Sequence, residues 1–298
     1  MRMDVVMCTW NSNKQFFRTV LQSIKREIPV HCFILIDRFS KDTTTNVVRS
    51  IFPEAKLFPT DKSLAESRLL GIEKVDTEYF IFIDDDIVLP NGWFKKLQNS
   101  LDSKTGAIQA HAVPAIKLSY VEKWRKWQEK WTKSKLRIQR LKKKALDEEA
   151  KIIEITEENK NKILGYTHNT IIKLDACKDW NPPRNLPVFE DQVLLWHIVK
   201  KGYKWKINRE ITVQHYSYRN LSEHLRKVKW RFAGQRVIGL SHLSLEQLLV
   251  TDFAKKLILS CKACIDLRDP RVIGYVLFLH LAFLDGYLGW DKNMHLIR

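Results

Sequence analysis

The chain has 298 residues, with 51 Lys+Arg against 34 Asp+Glu and a formal net charge of +17. At 45% hydrophobic it can bury a sizeable core, which excludes a disordered tail. Five scattered Cys exclude a disulfide-stapled secreted scaffold, and Met1–Trp10 lacks the long apolar stretch of a signal peptide. A reducing compartment and acidic partners are expected, with phosphates, anionic lipid and nucleic acid all open.

The first hundred residues alternate between two periodicities. The spacing predicts a strand over Asp4–Cys8 and a helix over Lys14–Ile28, with Phe16, Phe17, Val20, Leu21 and Ile24 on one face. A strand over Val30–Ile36, a short helix over Thr43–Ile51 and a strand over Ala55–Phe58, ended by Pro59, follow. Ser63 can cap a helix over Leu64–Lys74, because Glu66 stands three residues beyond it. Tyr79–Ile83 reads as an apolar strand that runs into three carboxylates. This order implies an α/β fold with a mostly parallel central sheet flanked by helices. Ligands of such sheets bind beyond the carboxyl ends of the strands.

Composition shifts near Lys117. Between Lys117 and Lys144 stand twelve Lys/Arg and two Glu, a net of +10, with helical spacing and no Gly or Pro. Acidic residues take over from Asp147 to Glu158. A helix or helical hairpin inserted into the domain is expected here. Tyr120, Trp124, Trp127 and Trp131 share one face of it. That face fits three roles: packing on the domain, stacking against acceptor sugars, or lying in a membrane interface. Lys142, Lys143 and Lys144 extend the basic surface toward anionic headgroups or a lipid phosphate.

Strands and a helix resume at Thr170–Leu174, Asp191–Lys201, Lys204–Ile207 and Ile211–His215. Beyond about residue 220 the pattern is helical, with breaks near Gly239 and Pro270. Val272–Leu284 has 13 residues without Asp, Glu, Lys or Arg. That is too short for a spanning helix, which needs about 20 apolar residues. A buried or interfacial helix is expected. Four segments result: residues 1–116, a basic insertion over 117–165, a second half over 166–220, and a helical C-terminal region over 221–298.

Asp84-Asp85-Asp86 is the first chemical constellation. Adjacent carboxylates repel, and a divalent cation compensates them well. Mg²⁺ and Mn²⁺ prefer oxygen ligands and bridge to phosphates. Strand alternation would point Asp84 and Asp86 the same way and Asp85 elsewhere. A solvated acidic turn before Pro90 is the plain alternative. Cys261 and Cys264 form a lone C-x-x-C in a helical run, with no second pair to suggest zinc.

Several segments together resemble family 2 glycosyltransferases of the GT-A fold. Val5 to Asn11 resembles their opening strand and loop, and Ile34 to Asp37, with Ser40, Lys41 and Asp42, their nucleotide-contact loop. Leu64 to Ile72 resembles their Ala-Arg-Asn-x-Gly helix, with Leu69 where Asn is common. Tyr79 to Asp86 resembles the DxD segment, and Phe189-Glu190-Asp191 the later acidic motif.

The resemblance implies a nucleotide-diphospho-sugar site built from Thr9, Asn11, Asp37, Arg68, Asp84 and Asp85. Asp37 would accept from the base, Arg68 would sit near base or diphosphate, and Asp84 would contact ribose. Mn²⁺ or Mg²⁺ would be held by Asp86, with Asp84 and His215 as further candidate ligands. Asp191 would be the catalytic base and Glu190 would orient it or the acceptor. His168 and Asn169 fall at the family's acceptor side, and Trp124 and Trp127 are candidates there.

The implied activity is inverting, metal-dependent transfer of one sugar to an acceptor hydroxyl or phosphate. No Gln-x-x-Arg-Trp motif of processive members is present. A lipid-linked acceptor, and a cytoplasmic protein in peripheral contact with the cytoplasmic membrane face, extend this reading. Two alternatives compete. A sugar-phosphate nucleotidyltransferase would carry a Gly-rich N-terminal loop, and Thr9–Gln15 has no Gly. A nucleic-acid-binding protein would use the basic aromatic helix, but leaves the carboxylates without a role.

Overall fold

The computed structural model describes residues 2–115, 118–139, 150–183, 186, 188–216, 220–237 and 253–288. Side chains are described for these residues except 131–139, 232–237 and 287–288. The expected break at Gly239, the Trp131 side chain and the lysines at 142–144 lie outside them. The chain divides into two compact units. Unit 1 comprises Met1–Ala115, Ala150–Ser217 and Leu296–Arg298, and unit 2 comprises Ile116–Glu149 and Tyr218–His295.

Unit 1 opens with β1 (Met3–Thr9), α1 (Phe17–Glu27), β2 (Val30–Asp37), α2 (Thr44–Ile51), β3 (Lys56–Pro59), α3 (Leu64–Ile72) and β4 (Tyr79–Ile83). It continues with β5 (Ile87–Val88), α4 (Trp93–Gln98) and β6 (Thr105–Pro114). After unit 2's first segment come β7 (Ile152–Ile155), β8 (Asn169–Lys173), α6 (Leu174–Cys177), α7 (Glu190–Lys200) and β9 (Lys204–His215). The helix of unit 2 between β6 and β7 is α5 (Ser119–Gln139).

Among the described residues the strands form one sheet in the order β3-β2-β1-β4-β8-β6-β9-β5, with β7 on β9. β3, β2, β1 and β4 are mutually parallel, and β6 and β9 run with them because β8 opposes both β4 and β6. β5 and β7 pair antiparallel with β9. The sheet is thus mostly parallel, as expected.

Both faces are covered, so β1 is apolar on both sides. Val5 and Met7 face one core with Phe17 and Val20 of α1, Val48 of α2 and Trp93 of α4. Val6 faces the other core with Ile72 of α3, Ala176 of α6 and Leu194 of α7. α3 starts where Ser63 and Glu66 form the expected capping box. It lies close on β1, because a Cβ at Gly71 would stand 2.4 Å from Val6 Cγ1. This approach presents the α3 residue Arg68 at the strand ends.

Three differences from the sequence reading stand out. The region expected to be a helical insertion contains a strand, β7, whose Glu154 pairs with Lys204 of β9 at 2.6 Å. β3 includes Pro59, tolerated because β3 is an edge strand. β6 has small residues and Gly106, where a Cβ would fall 2.6 Å from Ile198 Cγ2 and 2.7 Å from Tyr203 Cβ.

Unit 2 contains α5, α8 (Leu221–Val237), α9 (Phe253–Leu267) and α10 (Arg271–Leu288) among its described residues. Val121, Trp124, Ala263, Val272, Tyr275 and Val276 form its core. The break at Pro270 falls between α9 and α10, as expected. No described helix is long and apolar enough to cross a membrane.

Candidate active site

Unit 1 gathers most of the expected residues where β1, β2 and β4 end. Thr9 and Asp37 are register partners at the ends of β1 and β2. The Thr9 hydroxyl donates to Asp37 Oδ1 at 2.7 Å. Ser40 adds its backbone N–H to Oδ2 at 2.8 Å and its hydroxyl to Oδ1 at 2.6 Å. Asp37 therefore organises the loop and keeps acceptor capacity on Oδ2, since a carboxylate offers about four lone-pair sites. Asn11, at φ 50°, joins the two loops. Its N–H donates to Ser40 Oγ and its Oδ1 accepts from the Lys41 N–H, each at 2.8 Å.

The three adjacent aspartates diverge. β4 ends at Ile83 and the chain turns through Asp84–Asp86, so strand alternation no longer governs them. Asp84 turns toward Arg68, with Oδ1 accepting from Nη2 at 3.2 Å. Asp85 accepts from the Ser12 hydroxyl; burial, then Asp86, push its carboxyl up. Asp86 lies 3.1 Å from His215 Nε2 at the end of β9. The expected common orientation of Asp84 and Asp86 is thereby corrected. Ser12 is a site residue that no motif announced.

Arg68 is the hub of the second cluster. Its side chain is 5% exposed, and Nη2 also meets Glu190 Oε1 at 3.3 Å. The guanidinium lies over the Phe82 ring, 5.5 Å from its centroid. Its Nε and Nη1 meet no hydrogen-bond acceptor among the described residues. Glu190 and Asp191 open α7, where the helix dipole favours negative charge. Phe189, just before them, is held at φ 70°, an unfavourable conformation for a bulky residue.

Burial pushes the Glu190 carboxyl up and Arg68 opposes it. Burial, then repulsion from Glu190, push the Asp191 carboxyl up, again against Arg68. The neighbouring Cys8 thiol is pushed up to about 12, chiefly by burial, so it stays protonated and unreactive.

The remaining expected residues separate. His168 packs edge-on against His215, with ring centroids 5.1 Å apart. Asn169 is fully buried; its Oδ1 accepts from the Ala110 N–H at 2.8 Å and its amide nitrogen lies 3.1 Å from His168 Nδ1. It ties β8 to β6 and orients His168, and no face of it is open to an acceptor. Trp124 and Trp127 belong to unit 2. Trp124 is 5% exposed in that unit's core, so packing claims its ring.

The residues fit a divalent cation in part. Asp86 and His215 present an oxygen and a nitrogen side by side, and Asp84 is engaged with Arg68. No group of three His, Cys, Asp or Glu side chains is arranged for a metal among the described residues. Two protein ligands suffice where substrate phosphates and water complete the shell.

A mostly parallel sheet with acidic loops at its carboxyl ends, and a carboxylate pair at a helix start, fit a GT-A glycosyltransferase. Residues 4–154, just over half the chain, match the family model described as glycosyl transferase family 2. The chain belongs to that family, and is a glycosyltransferase that works from a nucleotide sugar.

Solved structures share the fold. The mannosyltransferase PcManGT from Pyrobaculum calidifontis, in complex with GDP-Man and Mn²⁺, is similar with a TM-score of 0.62 at 14% identity, over 98% of this chain and 88% of that one. S. aureus TarS 1–349 in complex with UDP gives 0.53 at 14% identity, over 100% and 92%. Glucosyl-3-phosphoglycerate synthase from Mycobacterium tuberculosis, with Mg²⁺ and UDP, gives 0.50 at 13% identity, over 78% and 79%. At these identities the likeness is one of fold. No curated protein matches the chain.

Proposed function

We propose that the chain is an inverting, metal-dependent glycosyltransferase that moves one sugar from a nucleotide-diphospho-sugar to an acceptor hydroxyl or phosphate. The observation that carries this reading is the half-buried Asp191, raised in pKa beside the buried Glu190 and Arg68 at the strand ends. A general base works best with a pKa near the operating pH, and burial moves this carboxylate toward it.

Asp191 takes the acceptor's proton as the acceptor oxygen forms its bond to the anomeric carbon. The bond from that carbon to the diphosphate breaks on the opposite face, and the nucleoside diphosphate leaves with the electron pair. Glu190 and Arg68 set the charge around Asp191. Asp37 takes a base N–H on its remaining Oδ2 lone pair, within the loop that Thr9 and Asn11 hold. Asp84 lies toward the ribose, and Asp85 steadies the loop through Ser12. Asp86 and His215 would hold Mn²⁺ or Mg²⁺, which neutralises charge on the leaving diphosphate.

The basic α5 supports a phosphate-bearing or lipid-linked acceptor and peripheral contact with anionic membrane. All five cysteines are free, which supports a reducing, cytoplasmic setting.

A thermal-shift panel of UDP-, GDP- and dTDP-sugars, with and without Mn²⁺, tests the proposal. One nucleotide class should raise Tm in a Mn²⁺-dependent way, and Asp86→Ala should abolish the rise. No rise with any nucleotide would overturn the donor site.

A further inference from the structure

The proposed transfer chemistry draws on no side chain of unit 2, yet unit 2 contains an open groove of about 650 Å³ between α5 and α9. Ligand sites commonly occupy about 300–1,000 Å³. Lys123, Lys126, Trp127 and Lys130 line it from α5, and Lys262 and Asp266 from α9.

We infer that this groove is a second binding site, for a sugar or polyol phosphate, in which Trp127 takes the carbon face and Lys126, Lys130 and Lys262 take the phosphate. It rests on unit 2 alone and stands whether or not the donor reading holds.

Trp127 is a fixed platform. Its indole N–H donates to Asp266 Oδ2 at 2.8 Å. Its ring stacks on the buried Trp124, with centroids 5.6 Å apart and planes 18° from parallel. A ring held in this way has a negative face that attracts the weakly positive C–H face of a sugar or polyol.

The lysines supply the charge. Lys123 is matched by Asp269 at 3.0 Å. Lys126, Lys130 and Lys262 are exposed and make no ion pair among the described residues. Lys126 and Lys130 are four apart on one helix, and like charges at that spacing repel. An anion between them removes the repulsion. Asp266, the carboxylate on the groove wall, accepts the Trp127 N–H and keeps its negative charge, which Lys126, Lys130 and Lys262 outnumber. A concave surface of one sign concentrates counter-ions. Lysine binds phosphate as a point charge, without the fixed geometry that arginine's fork requires.

The test uses the full chain, labelled so that the Trp127 indole N–H is followed by NMR and assigned by its loss in Trp127→Phe. One arm titrates glycerol 3-phosphate. A second compares sedimentation with mixed phosphatidylglycerol–phosphatidylcholine vesicles and with phosphatidylcholine alone. A Trp127 shift with glycerol 3-phosphate supports a soluble phosphate ligand. Sedimentation that needs phosphatidylglycerol, without that shift, assigns the same chemistry to a lipid headgroup. Either response should fall at least about tenfold in Lys126→Glu/Lys262→Glu and weaken as NaCl is raised.

Lys126→Gln/Lys262→Gln is the milder variant should the charge reversal fail to fold. Donor-induced thermal shifts serve as the unit 1 control and should be unchanged in both. No response in either arm, an equal response in the variants, or tighter binding of a single-stranded RNA oligonucleotide would overturn the inference.

Discussion

Arg68→Met tests the hub of the site. Nη2 lies 3.3 Å from Glu190 Oε1, and both side chains are 5% exposed. At an effective dielectric of about 20, such a pair attracts by about 5 kcal/mol before desolvation is subtracted. The pair with Asp84 counts for less, because that carboxylate is 36% exposed and screened. Breaking a buried pair from one side costs about 3–5 kcal/mol, since the partner charge stays buried and uncompensated. At about 2–4 °C per kcal/mol, Tm should fall by about 6–20 °C. Glu190→Gln in the same chain removes the stranded charge and should restore roughly half of that loss. Scanning fluorimetry on the four members of the cycle measures it. A loss in Arg68→Met under about 1 kcal/mol, or double-variant destabilisation equal to the sum of the singles, would refute the hub.

Asp191→Asn should abolish turnover while donor-induced stabilisation persists, as seen by comparing product formation with thermal shift. The raised Asp191 carboxyl also has a stability sign: above the ordinary Asp value the native state holds a proton that the unfolded chain releases, so stability falls as pH rises through that window. Asp191→Asn should therefore raise Tm at neutral pH, with the gain shrinking toward pH ~4; no gain at neutral pH would contradict the shift. In kcat/KM–pH profiles the proposed base Asp191 should set the rising acid limb, and Glu190→Gln should move it to lower pH by removing the repulsion. His215→Ala should raise the half-saturating Mn²⁺ concentration at least about tenfold, whereas Asp84→Asn should leave it unchanged and lower Tm. Gly71→Ala sets a methyl 2.4 Å from Val6 Cγ1 and should cost about 1–3 kcal/mol in urea unfolding, partly recovered by adding Val6→Ala.

Much of unit 1 was legible because its signals are local. The apolar run Tyr79–Ile83 and the Ser63–Glu66 box each lie within one element, and both appear in the structure. β7 was not legible because its support is distant. Ile152–Ile155 stands among charges, and Glu154 becomes a strand residue through Lys204, 50 positions away. β6 is likewise built on long-range fit around Gly106. At the site, residue types could be read but their partnerships could not. Asp84 and Asp86 are two residues apart, yet one belongs with Arg68 and the other with His215, because the turn after Ile83 separates them. The aromatic stripe of α5 divides in the same way: Trp124 is core and Trp127 lines a groove.

The separation of those aspartates has a chemical consequence. Three carboxylates facing one point would repel one another, and each would resist ionisation. The turn gives each a different neighbour: a guanidinium for Asp84, a hydroxyl for Asp85 and an imidazole for Asp86. Arg68 then joins two carboxylates from different elements. Its charge reaches Asp84 at the end of β4 and Glu190 at the start of α7 through a single nitrogen. A lysine would carry the same charge but not the planar guanidinium that lies over the Phe82 ring. The carboxylates of Asp84 and Glu190 are thus electrostatically linked, and a change in protonation at Asp84 alters the counter-charge available to Glu190 and Asp191.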